Sequence, residues 1–408
     1  MKRKKIMTRL FESIYRAFVV KEPIKHRFFL DMFINLVFLI SLSLVLTVGR
    51  MYPLNYIANG SFIIMCILMI YYVFIYGSFI IDPFVILIFI LNIFLILSSL
   101  LNGFERETFT LIFLTMGMLP IYFYFKSSIL SRDIVLNYVV LAYVIFNFFF
   151  FYLYSKDFLN FDFTERLGAK IANQNDIATF LLTAHCLYLY LIIKKKYFLI
   201  PFLIINFIEM IATGSRSGLL NLLVMTFFIF FILIGRNRKR FFFIISISTF
   251  IILYLTLNIP QFLSLKTRFN QLFVGLFVDQ GADASTANRV QLLLQSLDVF
   301  LKNPIFGRGS SFAETYTFNG QVAHNAFIQL GASYGLFVMT MFITIFVNPL
   351  LDKSSNSSEI KLILIISFLI FYLTLSGYYY KPPYFILPIL ASFGKKGKYN
   401  SCILLANN

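Results

Sequence analysis

The chain has 408 residues, of which 59% are hydrophobic and only 13% are charged, and its mean hydropathy is +0.82. These values exclude a water-soluble globular protein and predict an all-α polytopic integral membrane protein. In a soluble protein the formal net charge of +17 would suggest a nucleic-acid partner, so the position of that charge along the chain has to be examined first.

A membrane-spanning helix needs about 20 apolar residues. Cutting the sequence at its polar positions gives about twelve such runs. The predicted spans lie near 28–48, 61–80, 83–101, 108–125, 133–154, 176–193, 197–213, 217–234, 241–258, 326–348, 361–376 and 382–394. We therefore expect about 12 transmembrane helices and no separate soluble domain.

Lys and Arg concentrate on one side of these spans. With a cytoplasmic N-terminus, about two thirds of the 35 basic residues fall in cytoplasmic segments, which fixes the orientation by the positive-inside rule. Residues 1–27 then form a basic cytoplasmic arm, 28–394 a single transmembrane unit and 395–408 a cytoplasmic tail. The external face receives a loop at 155–175 and a long loop at 259–325. The charge reports topology, so no nucleic-acid partner is expected.

Glu209 lies near the outer end of the seventh predicted span. An acid inside a membrane is a functional candidate by default, because its burial is costly. It lies about two helical turns before Arg216, so a structural ion pair with a nearby arginine is the alternative interpretation.

The turn T-G-S-R-S-G (Thr213 to Gly218) joins the seventh and eighth spans. Gly214 breaks one helix, and Ser215 or Ser217 can cap the next, whose free N–H groups and dipole favour an anion. Arg216 adds a fork of donors suited to phosphate. The alternative is a tight external turn whose arginine reaches lipid headgroups.

The long loop contains one clearly amphipathic helix, predicted at 286–302, capped by Ser285 or Thr286 and ended by Asn303-Pro304. Its apolar stripe consists of Val290, Leu293, Leu294, Leu297 and Leu301. Arg289 is placed in the first turn, where a cation opposes the helix dipole. A bound anion would offset that cost; a surface arginine without function is the alternative.

His324 stands at the external membrane boundary, followed by Asn325, a predicted N-cap of the tenth span. A helix N-terminus and neighbouring arginines both disfavour imidazolium, so His324 is expected to be neutral at pH 7. It could then act as a general base for a sugar hydroxyl. His185 lies within a span and is interpreted as a hydrogen-bonded packing residue.

External carboxylates are scarce, and no D-x-D pair is present to hold Mg²⁺. Cys66, Cys186 and Cys402 share no metal-like spacing. The sequence therefore predicts no metal site and gives no sign of a cofactor.

Four segments together resemble the O-antigen polymerase and ligase superfamily (Wzy and WaaL). They are G-A-K-I-A-N-Q-N-D-I-A (168–178), T-G-S-R-S-G, N-R-V-Q with N-P-I-F-G-R-G, and H-N-A-F-I-Q-L-G-A-S-Y-G from His324. The first resembles the family segment G-T-x-x-N-P-N-x-x-A, with Gln174 in place of the usual proline. The resemblance covers roughly 168–340.

This resemblance implies a metal-independent, GT-C-like glycosyltransferase of the bacterial inner membrane, with an external active site and a donor glycan linked to undecaprenyl diphosphate. By position, Arg216 and Arg289 would hold the diphosphate and His324 would activate the acceptor hydroxyl. Arg308 and Tyr316 are candidates for glycan contact, and Asn175 and Asn325 are accessory candidates. Implied partners are lipid-linked donor and acceptor oligosaccharides, membrane lipids and, as a candidate, a chain-length regulator protein.

Two other functions remain open on the motifs. A ligase would use the same donor but deliver the glycan to a lipid A core, and the motifs do not separate it from a repeat-unit polymerase for O-antigen or capsule. A flippase or transporter for lipid-linked sugars would place polar sites near the midplane and often shows repeats. The predicted polar chemistry lies at one face instead, which favours the enzyme.

Overall fold

The computed structural model describes residues 24–77, 79–160, 167–233, 284–351, 358–374 and 378–393. Within these residues the chain forms helices and no strand, which confirms the predicted all-α membrane class. Six helices have the length and hydropathy of a membrane span, and three shorter apolar helices accompany them. The total of about twelve spans stays a prediction, since the span expected near 241–258 lies outside the described residues.

The first five helices follow the predicted order, a short unpredicted helix lies at the start of the loop expected at 155–175, and capping residues define several of the helix starts. Asp82 accepts a hydrogen bond from the Val85 N–H at 3.2 Å, and Ser131 caps the helix that follows it. The helices are α1 (Ile24–Thr47), α2 (Asn55–Tyr76), α3 (Pro83–Asn102), α4 (Arg106–Ser127), α5 (Arg132–Leu153) and the short α6 (Ser155–Leu159).

The remaining helices carry the motif residues. They are α7 (Gln174–Ile193), α8 (Ile200–Ala212), α9 (Arg216–Leu233), α10 (Ala284–Lys302), α11 (Phe312–Tyr316), α12 (Ala326–Tyr334), α13 (Leu336–Leu351), α14 (Ser358–Thr374) and α15 (Lys381–Ser392). Helix α7 is the most enclosed of the six long spans, with 83% of the residues in its apolar stretch buried. Its N-terminal turn is therefore held firmly by its neighbours.

Segments predicted to be cytoplasmic meet at one end of the bundle. The Lys194 ammonium lies 2.7 Å from the Glu359 carboxylate, and the Lys126 ammonium lies 3.8 Å from that of Asp82. The Arg27 guanidinium donates to the Ser127 carbonyl. We call this the Asp31 end, after the buried carboxylate nearby.

Segments predicted to be external meet at the other end, which we call the loop end (49–55, 102–107, 303–325 and 378–381). There Arg50 pairs with Asp176, and the Ser311 hydroxyl donates to Glu105 at 2.6 Å. Assigning the loop end to the outside of the cell stays a prediction from the basic-residue distribution.

The tenth span is not the single helix predicted at 326–348. It breaks at Gly335, whose φ of 87° lies in the left-handed region, so α12 and α13 are separate helices. Hydropathy is continuous across the break, which is why the apolar run predicted one helix. The second span also starts earlier than predicted, at Asn55, because polar residues occupy its first turns.

Candidate functional site

The break between α12 and α13 is the docking place of the N-P-I-F-G-R-G segment. The Arg308 N–H donates to the Ala332 carbonyl at 2.8 Å, and the Leu336 N–H donates to the Pro304 carbonyl at 2.7 Å. These bonds use backbone groups that the end of one helix and the start of the next leave free. The segment is thereby fixed across the broken span.

Two glycines make this close approach possible. A Cβ on Gly335 would lie 2.0 Å from the Ile305 carbonyl oxygen, and one on Gly307 would lie 2.4 Å from the Ser333 backbone. Both glycines also have positive φ, at 87° and 67°. The glycines of the motif are therefore required by backbone-to-backbone packing.

The same segment is fastened to the ends of α3 and α4. The Ser98 hydroxyl donates to the Phe306 carbonyl at 2.6 Å. The Glu105 carboxylate accepts from the hydroxyls of Ser310 and Ser311. The first part of the loop that precedes His324 is thus tied to α3 and to the start of α4.

His324 directly precedes the capped start of α12. As predicted, Asn325 is the N-cap: its side-chain oxygen accepts from the N–H groups of Phe327 and Ile328, each at 3.1 Å. Because the cap fixes the backbone at the helix start, it also fixes the direction in which the neighbouring imidazole leaves the chain.

Burial controls the protonation of His324. Its Nδ1 is buried without a hydrogen-bond partner among the described residues. Burial lowers the pKa of His324 below its ordinary value, and the positive charge of Arg289 lowers it further. The imidazole is therefore neutral at pH 7. The residue is only partly buried, so a substrate can approach the ring.

Arg289 lies near His324 but not in the first turn of its helix, so that prediction was wrong. Helix α10 begins at Ala284, which makes Arg289 its sixth residue and places Ser285 and Thr286 inside the helix instead of at its cap. The argument from an opposed helix dipole no longer applies to Arg289. Its influence on the His324 pKa is the observation that joins the two residues.

Helix α10 packs on α12 through residues outside the predicted apolar stripe, Phe300 among them. The Phe300 ring lies 3.0 Å from the position of a Cβ on Gly331, and Leu292 and Val299 are buried. Val290 and Leu294 of the predicted apolar stripe are 52% and 59% exposed. An exposed apolar stripe is what a helix lying along the membrane surface requires, and that placement stays a prediction.

The T-G-S-R-S-G turn is joined to the first turn of α7. The Ser215 hydroxyl donates to the Asn175 side-chain oxygen at 2.9 Å and accepts from the Gly218 N–H at 3.2 Å, so Ser215 caps α9 as predicted. A Cβ on Gly218 would lie 2.6 Å from the Ala178 Cβ. Two of the motif segments therefore form one packed unit.

Arg216 is the first residue of α9, and its side chain lies outside the described part of the molecule. Helices α9 and α12 both contact the last turn of α14. Asn221 donates to Thr374 at 3.4 Å, and the Phe327 and Tyr372 rings are 6.2 Å apart. The two helix N-termini that carry the motifs thus lie at the loop end on either side of one helix.

Residues 201–343 match the family model described as O-antigen ligase. Over these residues the chain is similar to the O-antigen ligase family. This stretch includes the T-G-S-R-S-G turn, helix α10, the docked N-P-I-F-G-R-G segment and His324. A comparison with curated proteins found no match.

Glu209 lies inside the stretch that matches the family model, and among the described residues its hydrogen-bond partner is Asn147. The carboxylate is fully buried and accepts from the Asn147 side-chain amide, whose oxygen in turn accepts from the Tyr188 hydroxyl at 2.6 Å. Among the described residues no arginine forms an ion pair with Glu209, so that alternative is not supported there. The acid joins α8 to α5 and α7.

Arg308 and Tyr316 lie side by side, as candidates for one binding surface should. The guanidinium carbon is 5.9 Å from the Tyr316 ring centre, and both side chains are exposed.

His185 is buried and hydrogen-bonded to Thr226 at 2.9 Å, in agreement with its interpretation as a packing residue. The described residues contain no cluster of three His, Cys, Asp or Glu side chains that could share a metal ion.

Sequence reasoning missed a second group of cations at the loop end, outside the stretch that matches the family model. Arg50 pairs with Asp176 and lies 4.4 Å from the centre of the Tyr380 ring. Arg106 and Lys381 line the same cavity. The sequence did contain a signal for this group. The positive-inside rule predicts few basic residues in external segments, and these three flank spans on that side.

Proposed function

We propose that the chain is a polysaccharide repeat-unit polymerase of the bacterial cytoplasmic membrane. It transfers a glycan from a polyprenyl-diphosphate-linked donor onto another lipid-linked repeat unit at the external face. The family match supports a membrane enzyme that acts on lipid-linked glycans. The observation that carries the proposal is His324: a partly buried, neutral imidazole beside Arg289 at a rigidly capped helix start.

The neutral imidazole removes the proton from the acceptor hydroxyl as its oxygen attacks the anomeric carbon of the donor. The bond from that carbon to the diphosphate oxygen breaks, and the diphosphate leaves with the electron pair. Arg216 and Arg289 stabilise its negative charge, together with the free N–H groups at the start of α9. Charge stabilisation by arginines and amides makes the reaction metal-independent. Arg308 and Tyr316 contact the glycan.

His324→Ala tests this chemistry directly. Loss of a general base lowers the rate of transfer by about 10²–10⁴-fold, so cells carrying the variant accumulate lipid-linked single repeat units and no long chains. His26→Ala is the matched control, because His26 is an exposed histidine at the Asp31 end. Long chains of normal abundance from a stably expressed His324→Ala variant would contradict the proposal.

The family description favours one other candidate, a ligase that delivers the glycan to a lipid A core. Purified protein given one lipid-linked repeat unit, with and without lipid A core, separates the two functions. A ladder of chains without the core supports the polymerase, and transfer only in its presence supports the ligase. In liposomes, movement of the lipid-linked unit across the bilayer without elongation would instead indicate a flippase.

A further inference from the structure

A cavity of about 680 Å³ lies at the loop end, between the last turn of α1 and helices α2, α4, α7 and α15. The described residues that line it all lie outside 201–343, the stretch that matches the O-antigen ligase family. The donor-site arginines and His324 are not among them. The cavity is therefore a separate feature of this chain, built by the part of the sequence that the family match leaves unexplained.

Among the described residues, three cations line this cavity, namely Arg50, Arg106 and Lys381, and no carboxylate does. Asp176 pairs with Arg50, while Lys381 donates to the neutral Asn59 side chain. In the described part of the chain, no carboxylate pairs with Arg106 or Lys381. Two formal positive charges are left uncompensated, which suits a phosphate or diphosphate group.

The walls of the cavity become apolar away from the loop end. Along α4 the lining residues run from Arg106 to Phe113, and along α2 from Asn55 to Phe62. Each run of eight residues spans about 10 Å of helix. Two apolar residues of the lining are exposed, Ile63 at 45% and Phe113 at 42%. Both lie on helices that have the hydropathy of membrane spans. A charged rim above an apolar wall fits an anionic lipid whose chain extends into the membrane.

The Asn55 side-chain oxygen also lines the cavity, and it is buried without a hydrogen-bond partner among the described residues. A buried acceptor without a donor is costly. A hydroxyl group on a ligand would satisfy it, which adds a sugar-like group to the expected head of the lipid.

The cavity adjoins the family site through the first turn of α7. Asn175 binds Ser215 of the T-G-S-R-S-G turn, and the next residue, Asp176, binds Arg50 of the cavity. Phe180, one turn further along α7, lines the cavity. A ligand in the cavity is thus separated from the T-G-S-R-S-G turn by little more than the width of one helix, about 10 Å.

We propose that this cavity binds the phosphorylated head and the first part of the chain of the second lipid-linked substrate, the acceptor. This inference rests on the proposed function for the identity of its ligand. Arg106 and Lys381 hold the phosphate groups, and the apolar wall between α2 and α4 holds the polyprenyl chain. The donor and acceptor then occupy separate sites on either side of the start of α7.

Lipid stoichiometry tests the second site without any turnover. Native mass spectrometry of the full chain, titrated with polyprenyl diphosphate, should show two bound lipids per wild-type chain and one for the double variant Arg106→Gln/Lys381→Gln. Each lost charge-assisted contact should weaken binding about tenfold. Lys156→Gln/Lys302→Gln is the matched control, since it removes two exposed cations outside the cavity. The single variant Arg106→Gln guards against a loss of binding caused by misfolding. Its side chain is exposed and has no partner among the described residues, so its replacement should leave the fold intact.

Equal stoichiometry in the two double variants would overturn the site. Competition by phosphatidylglycerol at equal concentration would overturn its assignment to a lipid-linked substrate, since the cavity would then bind bulk phospholipid. In a transfer assay, Arg106→Gln should raise the KM for the lipid-linked acceptor about tenfold with kcat unchanged. If the wild-type chain transfers no glycan, the proposed function fails, while the stoichiometry still decides whether the cavity is a lipid-phosphate site.

Discussion

The two ends of the bundle differ in how their charged groups find partners. At the Asp31 end, the fully buried Asp31 carboxylate accepts from the hydroxyls of Tyr124, Ser128 and Tyr72 and from the Ile129 N–H at 2.9 Å. Its hydrogen bonds are provided by the protein itself, and they join α1, α2 and α4.

At the loop end, several polar groups lack such partners among the described residues. They are the His324 Nδ1, the Asn55 side-chain oxygen and the uncompensated cations Arg106 and Lys381. Unsatisfied groups cost stability. Their retention is understandable where a substrate completes the interactions. Buried neutral groups without a partner occur at both ends, Asn35 Oδ1 and Ser127 Oγ among them, so the cations without a carboxylate among the described residues are what set the loop end apart as a ligand-binding end.

The largest expected effect comes from the backbone contact that organises the loop end. Gly335→Ala should destabilise the docked loop by about 2–4 kcal/mol, because the new Cβ meets the Ile305 carbonyl and the residue has positive φ. Thermal unfolding and transfer activity should both fall.

Gly60→Ala is the control for that change. Gly60 lies inside α2, and a Cβ there would have nothing within 4 Å. The substitution should therefore be neutral or stabilise by about 0.5–1 kcal/mol through helix propensity. Equal stability of the Gly335 and Gly60 variants would show that the break in the tenth span is not fixed by this contact.

Asp31→Asn tests the stabilising end. An amide in place of the carboxylate turns an NH₂ group toward donors such as the Ser128 hydroxyl and the Ile129 N–H, which should cost about 1–3 kcal/mol. The midpoint of thermal unfolding in detergent should fall, while kcat per folded molecule stays at the wild-type value. Arg106→Gln should show the opposite pattern, with weakened acceptor binding and an unchanged midpoint. A shared pattern would remove the distinction between the two ends.

Much of the fold could be predicted from hydropathy, because apolar runs such as 83–101 and 133–154 coincide with α3 and α5 to within a few residues. The break at Gly335 could not be predicted from hydropathy, because it depends on a backbone contact with Ile305 and not on polarity. The early start of α2 was missed because Asn55 and Asn59 lower the local hydropathy, although both line the cavity.

For the candidate site, local patterns predicted the caps at Ser215 and Asn325 correctly, because a cap is formed by neighbours in sequence. Arg50 and Asp176 are 126 residues apart, so their pairing, and the cavity it borders, emerges only from tertiary packing. The first turn of α10 was misplaced because Asp283, Ser285 and Thr286 are all residue types that cap helices, so the sequence alone offers several starts.

The smallest expected effect is the pH dependence of transfer, which tests how the loop end controls His324. A general base must be neutral, so the rate falls as the pH drops through the pKa of His324. Burial and Arg289 lower that pKa, which moves the acid limb of kcat below the ordinary histidine value of about 6.5. Arg289→Gln removes the positive neighbour and should move the acid limb to higher pH, whereas Arg289→Lys keeps the charge and should leave the limb near its wild-type position.

The quantity to measure is the pH at which kcat falls to half of its maximum. The maximum itself is not compared, because both variants also alter the proposed diphosphate contact. Limbs at the same pH in both variants would mean that burial alone sets the protonation of His324, and that Arg289 contributes to the diphosphate site without tuning the base.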